Sequence, residues 1–224
     1  MCLVGEDATT PHLCDWVERV SKDKNVDLAV VTWSGHGAQV PQTPLTAALH
    51  PEPDGYDEVW VLHDRFLFDD EIFGLVAHFT PPARVVFIAD CCHSGSSYRL
   101  GPWYSREEAE VREGRITARV LDEDVALGIV AKNSEEYDAV LRRLVAAPVT
   151  VEFAGLSACL DQERAYEANG QGVFTKAVLR LLASGSTRSY RGLVEESAKC
   201  TPYQHPRIYW YDDRSGFLNQ PAFL

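Results

Sequence analysis

Val85-Val86-Phe87-Ile88-Ala89-Asp90-Cys91-Cys92-His93-Ser94-Gly95-Ser96-Ser97 is an apolar run that breaks abruptly into a polar, thiol-bearing turn. Five successive apolar residues fit a strand buried on both faces, the situation in a parallel sheet covered by helices on each side. Cys92 then stands at the mouth of that strand, where open α/β sheets bind ligands. A second run, Leu28-Ala29-Val30-Val31-Thr32-Trp33, ends in Ser34-Gly35-His36-Gly37 and places a histidine in the same way, 56 positions before Cys92. Two strands therefore deliver a nucleophile and a base to one sheet edge.

The chain has 224 residues, of which 46% are hydrophobic, enough for one large domain with a real core. Its formal net charge of −12 argues against a nucleic-acid or anionic-membrane partner, because such partners need a basic footprint. An acidic face would suit a cationic ligand, although it also simply keeps a protein soluble. No stretch is apolar enough for a membrane span and the N-terminus lacks a signal-peptide pattern, so a cytoplasmic location is expected. The six cysteines, at positions 2, 14, 91, 92, 159 and 200, form no CxxC pair, which fits reduced thiols.

Strand and helix signals alternate along the chain. Asp7 to Thr10 offers caps for a helix through Leu13, Trp16, Val17 and Val20, and Leu28 to Trp33 is the first strand. A polar connection from Gln39 to Asp57 leads to a short strand at Val59 to Leu62. Asp69-Asp70-Glu71 opens a helix through Phe79, and Pro81-Pro82 ends it. From Ser94 to Ser134 the pattern weakens into a long functional loop or insertion. Then come a helix at Glu135 to Leu144, a strand at Val149 to Leu156, helices at Phe174 to Leu182 and Tyr190 to Lys199, and a closing strand at Ile208 to Trp210. That alternation predicts an α/β fold with a mostly parallel sheet.

A thiolate is the reactive form of cysteine, and a histidine can take its proton; backbone N–H groups that hold an oxyanion complete a site for acyl transfer. Cys92 is the candidate nucleophile, His36 the candidate base, and the N–H groups of Gly37 and Cys92 the candidate oxyanion donors. Taken singly, a buried cysteine and a turn histidine are more often packing residues. Two rivals fail on spacing. A phosphatase loop needs Arg six places after the cysteine, but Tyr98 stands there for Cys92 and Ser97 for Cys91. Three consecutive residues, Cys91, Cys92 and His93, cannot readily converge on one zinc ion.

The strings TWSGHG (Thr32–Gly37) and IADCCHSGS (Ile88–Ser96), with LFDDEI (Leu67–Ile72) between them and LSACLDQERAYE (Leu156–Glu167) and GVFTKAVLRLL (Gly172–Leu182) after them, resemble the caspase-like cysteine peptidases of the metacaspase and orthocaspase type. The resemblance runs from about Leu3 to about Tyr209. It implies a single caspase-hemoglobinase-like three-layer α/β sandwich over 1–224, and peptide-bond hydrolysis by a His36–Cys92 dyad, with Cys91 at a position that varies. Asp90 lies two residues before Cys92 and shares its face in an extended strand. In metacaspase-like enzymes the matching Asp lines the S1 pocket and pairs with a substrate Arg or Lys; the other reading is a cap for the following helix. The alternative function is a catalytically impaired scaffold or regulatory interaction domain.

Asp57, Asp69 and Asp70 match three acids that hold activating calcium in calcium-dependent metacaspases. The fourth position of that set carries Arg99, so no cofactor is expected to be required, with calcium at the three acids as the alternative. The family's opening strand and helix have no counterpart ahead of Leu3. The edge of Leu28 to Trp33 is therefore expected to be unpaired, and to be completed by a partner chain or by self-association. The expected ligand is a protein or peptide substrate. If maturation occurs, it is expected to cut at one of Arg99, Arg106, Arg112, Arg115, Arg119 or Lys132.

Overall fold

The computed structural model describes residues 1–92, 114–142, 148–160, 163–185 and 188–223. Its centre is a four-stranded sheet in the order β1 (Leu28–Ser34), β5 (Arg84–Asp90), β7 (Glu152–Ser157), β10 (Arg207–Tyr211). The first three strands are mutually parallel and β10 closes the sheet antiparallel to β7.

The apolar run at 85–89 is continuous because β5 is covered on both faces. Val85, Phe87 and Ala89 pack on one side with Val17 of α1 (Thr10–Ser21) and Ile72, Leu75 and Val76 of α3 (Asp69–Val76). Val86 and Ile88 pack on the other with Phe174 and Val178 of α6 (Val173–Ala183) and Leu193 and Val194 of α7 (Tyr190–Ala198). Alternation along a pleated strand sends neighbours to opposite faces, so an unbroken apolar string is what a two-sided burial demands.

The expected elements are present with shifted ends, and several were not anticipated. The stretch read as a polar connection from Gln39 to Asp57 carries β2 (Gly37–Pro41) and a short α2 (Thr46–Leu49). With β3 (Tyr56–Val61) and β4 (Phe66–Phe68), β2 forms an antiparallel three-stranded sheet that buries Ala38, Val40, Val59, Phe66 and Phe68. Pro41 ends its strand, where a missing N–H costs least. The helix read through Phe79 stops at Val76. Within 94–134, the described part carries β6 (Thr117–Ala118) and α4 (Glu123–Lys132), while Arg99, Arg106 and Arg112 lie outside the described residues. The helix read at Glu135 to Leu144 is α5 (Ser134–Leu141). A third small sheet joins β6 to β8 (Tyr166–Ala168) and β9 (Gln171–Gly172).

At the open end of the central sheet, β1 has a neighbour on one side only among the described residues. Also among them, no helix is long and apolar enough to cross a membrane.

Candidate active site

Register decides which residues meet. Ser34 and Asp90 are paired residues at the ends of β1 and β5, so His36 and Cys92, each two residues further on, leave the sheet at the same level. Past its end, β1 turns sharply at Gly35, where an added Cβ would lie 2.5 Å from the Trp33 ring. Trp33 stacks on Trp60 with ring centroids 5.9 Å apart and donates its indole N–H to the His36 carbonyl at 3.2 Å. The Val61 N–H grips the same carbonyl at 3.1 Å. The turn is therefore fixed by packing and hydrogen bonds, and the His36 side chain is left exposed.

Cys92 is fully buried. Its thiol donates to the Ala165 carbonyl at 3.1 Å and its sulfur accepts from the Ala165 N–H at 2.9 Å. Burial pushes the thiol up to about 12, against the lowering effect of the Ala165 and Arg119 backbone contacts. Among the described residues its hydrogen bonds run to Ala165 and not to the His36 ring, so the proton-transfer contact of the proposed dyad is absent from this conformation. Cys91 is also fully buried, in the core beside Trp60 and Phe87, and burial drives its thiol well above the ordinary value. The two neighbours thus point to different layers: Cys91 into the α1/α3 core, Cys92 into the α6/α7 side.

The two N–H groups expected to hold an oxyanion share one acceptor. Gly37 and Cys92 both donate to the Arg119 carbonyl, at 3.2 Å each. Their approach is close: a Cβ on Gly37 would sit 1.9 Å from the Cys92 carbonyl oxygen, so only glycine fits. The chain around Arg119 is extended. Thr117 and Ala118 pair antiparallel with Glu167 and Tyr166, the Arg119 N–H donates to the Ala165 carbonyl at 2.9 Å, and Val120 and Leu121 run beside Gly37.

The Arg119 side chain enters a closed polar pocket and is only 7% exposed. Its Nη1 donates to the Asp90 main-chain oxygen and to Ser34 Oγ, both at 2.8 Å, and lies 3.8 Å from Asp90 Oδ1. Its Nε meets Glu167 Oε2 at 3.3 Å. Gly172 forms the wall; a Cβ there would lie 2.1 Å from Asp90 Oδ2 and 2.7 Å from Arg119 Nη1. The two carboxylate oxygens of Asp90 have different surroundings. Its Oδ2 accepts the N–H (2.7 Å) and the hydroxyl (2.6 Å) of Thr175 in the first turn of α6, while Oδ1 accepts no hydrogen bond among the described residues and faces the guanidinium. The helix it caps is α6, far along the chain, because β5 ends where α6 begins. Burial pushes the Asp90 carboxyl up, and Thr175 and Arg119 pull it back.

Asp57, Asp69 and Asp70 come together some distance along β3 and α3, joined by Glu52, Glu58 and His50. Oδ2 of Asp57, Oδ1 of Asp69 and Oδ2 of Asp70 are buried without a hydrogen-bond partner among the described residues. Asp69 is pushed up to about 8 by burial and then by Glu58, Asp70 and Asp57; Asp70 is pushed up to about 6 by burial and then by Asp57. Ligand atoms of His50, Glu52 and Asp69 lie within 4.8 Å of one another. Hard carboxylate oxygens in this number fit calcium. His50 does not, and its Nδ1 instead meets Glu52 Oε1 at 2.8 Å, which orients that carboxylate. Arg99, the charge that argued against an ion, lies outside the described residues.

Ala165, Gly172, Thr175, Glu167 and Arg119 were not identified as parts of a site from the sequence. Ala165, Glu167, Gly172 and Thr175 lie within strings that carried the resemblance but were given no role, and Arg119 was singled out only as one of six basic residues in a weakly patterned stretch.

Comparison with known proteins bears on the family and the fold. Residues 6–100 match the model of the metacaspase, peptidase C14 domain, a span that contains His36, the three acids, Asp90 and Cys92. A Metacaspase-1 from Lodderomyces elongisporus is 33% identical over 103 residues, 43% of this chain and 23% of that protein's length. The chain therefore spans about a quarter of the curated relative it matches. The crystal structure of protein GSU0716 from Geobacter sulfurreducens superposes with a TM-score of 0.77 at 28% identity, over 100% of this chain and 81% of the other. The fold is a caspase-like α/β sandwich, and its first half resembles the metacaspase-type C14 peptidases.

Proposed function

With that C14 likeness as its premise, we propose that the chain is a cysteine endopeptidase that hydrolyses peptide bonds after Arg, and after Lys by the same charge pairing. The observation that carries this reading is the pose of residues 117–121: an extended strand laid on β8, an arginine against Asp90, and the following carbonyl on two N–H groups beside the Cys92 thiol. Extended peptides are recognised in this way, by main-chain pairing with a strand edge and by pockets for alternate side chains.

In the proposed reaction the Cys92 sulfur attacks the carbonyl carbon while the Gly37 and Cys92 N–H groups stabilise the oxyanion. His36 takes the thiol proton and passes it to the departing amine. Water then hydrolyses the thioester. Asp90, Glu167 and Ser34 bind the basic side chain, and a buried carboxylate with one free oxygen favours a cation over a neutral or acidic group. The acids Asp57, Asp69, Asp70 and Glu52 would hold calcium, which would supply fixed positive charge to that corner of the fold; no step of the reaction runs through it.

A panel of fluorogenic peptide amides with Arg, Lys or Asp before the scissile bond tests the reading. Hydrolysis of the Arg and Lys members, absent in Cys92→Ala, is expected. The competing reading is an inactive scaffold; it predicts no Cys92-dependent turnover from any form of the chain.

A further inference from the structure

We propose that the chain carries a second ligand site, a cavity on the α1/α3 face of the central sheet that takes a small organic cation with a flat apolar body and an ammonium group at one end. The site stands apart from the peptidase reading. Its walls belong mainly to the α1/α3 core, whereas Cys92 packs on the α6/α7 side.

The cavity measures about 460 Å³. That lies within the roughly 300–1,000 Å³ of clefts that bury small molecules. A single turn of an α-helix, about 10 Å across, would already fill it, so the size favours a small molecule over a docked protein segment.

The floor is a row of residues paired across three strands: Phe87 of β5, Gly155 of β7 and Tyr209 of β10. Directly opposed residues present their side chains to one face of a sheet, so Gly155 leaves a gap between two aromatic rings. Neither backbone nor crowding asks for glycine at this position. Gly155 is not among the residues of positive φ, and an added Cβ would lie 3.6 Å from the Phe153 ring and 4.0 Å from the Tyr209 Cβ, ordinary van der Waals distances. Glycine weakens a strand interior and often marks a place of close approach. What a side chain at 155 would take up is the cavity itself.

More aromatic residues extend the walls. Phe153 meets Phe73 and Phe87 edge-on with ring centroids 5.8 Å apart in both pairs, and Trp60 lies 5.9 Å from Phe87. Phe73 and Tyr209 remain 40% and 42% exposed, which leaves apolar surface at the cavity for a flat ligand to cover.

Charge selects the other end of the ligand. Among the described residues that line the cavity, Glu52, Asp54, Glu58 and Asp69 are acids and none is Lys or Arg. Asp69 Oδ1 is buried and accepts no hydrogen bond among the described residues. Gln39 donates from Nε2 to Glu58 at 2.9 Å and to Asp54 at 3.5 Å; this neutral amide tethers two carboxylates without cancelling either charge. Carboxylates beside aromatic faces attract a cation both by charge and by the ring quadrupole.

The test is isothermal titration of the purified full chain with three probes of one shape: tryptamine, tryptophol and indoleacetate. A chelator keeps calcium from Glu52 and Asp69, which the acid cluster shares. Tryptamine is expected to bind on the order of tenfold more tightly than tryptophol, and indoleacetate most weakly. Glu58→Gln should narrow the gap between tryptamine and tryptophol and leave tryptophol unchanged. Gly155→Val fills the floor and is expected to weaken both on the order of tenfold or more, while the melting temperature holds or rises because a β-branched residue suits a strand. Should Gly155→Val fold poorly, Tyr209→Ala removes one wall at a half-exposed position and is expected to weaken both probes as well. Equal affinity for tryptamine and tryptophol overturns the inference, and so does tryptamine binding that neither Gly155→Val nor Tyr209→Ala alters. Absence of heat from all three probes at millimolar concentration overturns it too. None of these readouts involves turnover, so the peptidase reading and this inference fail or stand separately.

Discussion

Arg119 donates from Nη1 to the main-chain oxygen of Asp90 at 2.8 Å, with its guanidinium 3.8 Å from the Asp90 carboxylate. The pair links the end of the central sheet to a segment 29 residues further along the chain. It also gives Asp90 two tasks: one oxygen ends α6, the other meets a cation.

Substitution separates those tasks. Asp90→Asn keeps an oxygen that can accept from Thr175 but loses the charge, whereas Asp90→Ala loses both. Asp90→Asn is therefore expected to fold with near-native stability and to lose preference for Arg and Lys. Asp90→Ala should in addition destabilise the chain by about 1 kcal/mol or more, the scale of a lost helix cap. Thermal melts beside kcat/KM for Arg, Lys and norleucine amides check this; equal kcat/KM for Arg in wild type and Asp90→Asn would show that the carboxylate plays no part in selection.

The dyad assignment predicts different fates for the adjacent cysteines. Cys92→Ala is expected to abolish turnover, and His36→Ala to lower kcat by on the order of 10³ or more. Cys91→Ala should retain activity with a modest loss of stability, because Cys91 packs in the α1/α3 core. Activity that survives in Cys92→Ala and vanishes in Cys91→Ala would reverse the assignment.

Two glycines are held to their identity by close approach. Gly37→Ala would press a methyl group into the Cys92 carbonyl and is expected to cost 10²-fold or more in kcat, the order reported for one lost oxyanion donor. Gly172→Ala would intrude between Asp90 and the bound guanidinium, so its penalty should fall on KM for Arg substrates. A Gly172→Ala enzyme with unchanged KM would mean the pocket wall lies elsewhere.

The acid cluster carries a pH signature. Asp69, at about 8, and Asp70, at about 6, bind protons more tightly in the folded chain than the ordinary value of 3.8. The folded state then holds more protons than the unfolded one from about pH 4 upward, so stability falls as pH rises, through about 6 for Asp70 and about 8 for Asp69. Calcium requires the ionised carboxylates and should reverse the loss. With a chelator present, Tm is expected to drop between pH 5.5 and pH 8; added Ca²⁺ should raise it more at pH 8. A calcium effect that is absent at both pH values would show that these acids hold no such ion.

The two strands that carry the candidate site were legible because each is an apolar run ending in a polar, glycine-bearing turn, and parallel pairing in register brings His36 and Cys92 off the sheet at the same level. Asp90 was legible for the same reason, as a residue two places before the thiol. The partners that complete the pocket were not. Arg119, Ala165 and Thr175 reach it from 29 to 85 residues away in sequence; Arg119 and Ala165 flank strands of two or three residues whose pairing leaves no periodic trace, and Thr175 reaches it from the first turn of a helix whose own period says nothing of what lies at its start. The small sheet β2-β3-β4 was missed in part for a related reason: Phe66–Phe68 is too short to show alternation, and Gly37–Pro41 begins and ends on residues that usually break strands.

The central claim, that Cys92 attacks carbonyls presented by an arginine in the Asp90 pocket, is tested most directly by labelling the purified chain with an arginyl peptide electrophile and mapping the adduct by mass spectrometry. The account predicts a single adduct on the Cys92 sulfur, lost in Asp90→Asn. An adduct on Cys91, or no adduct on Cys92, would contradict it.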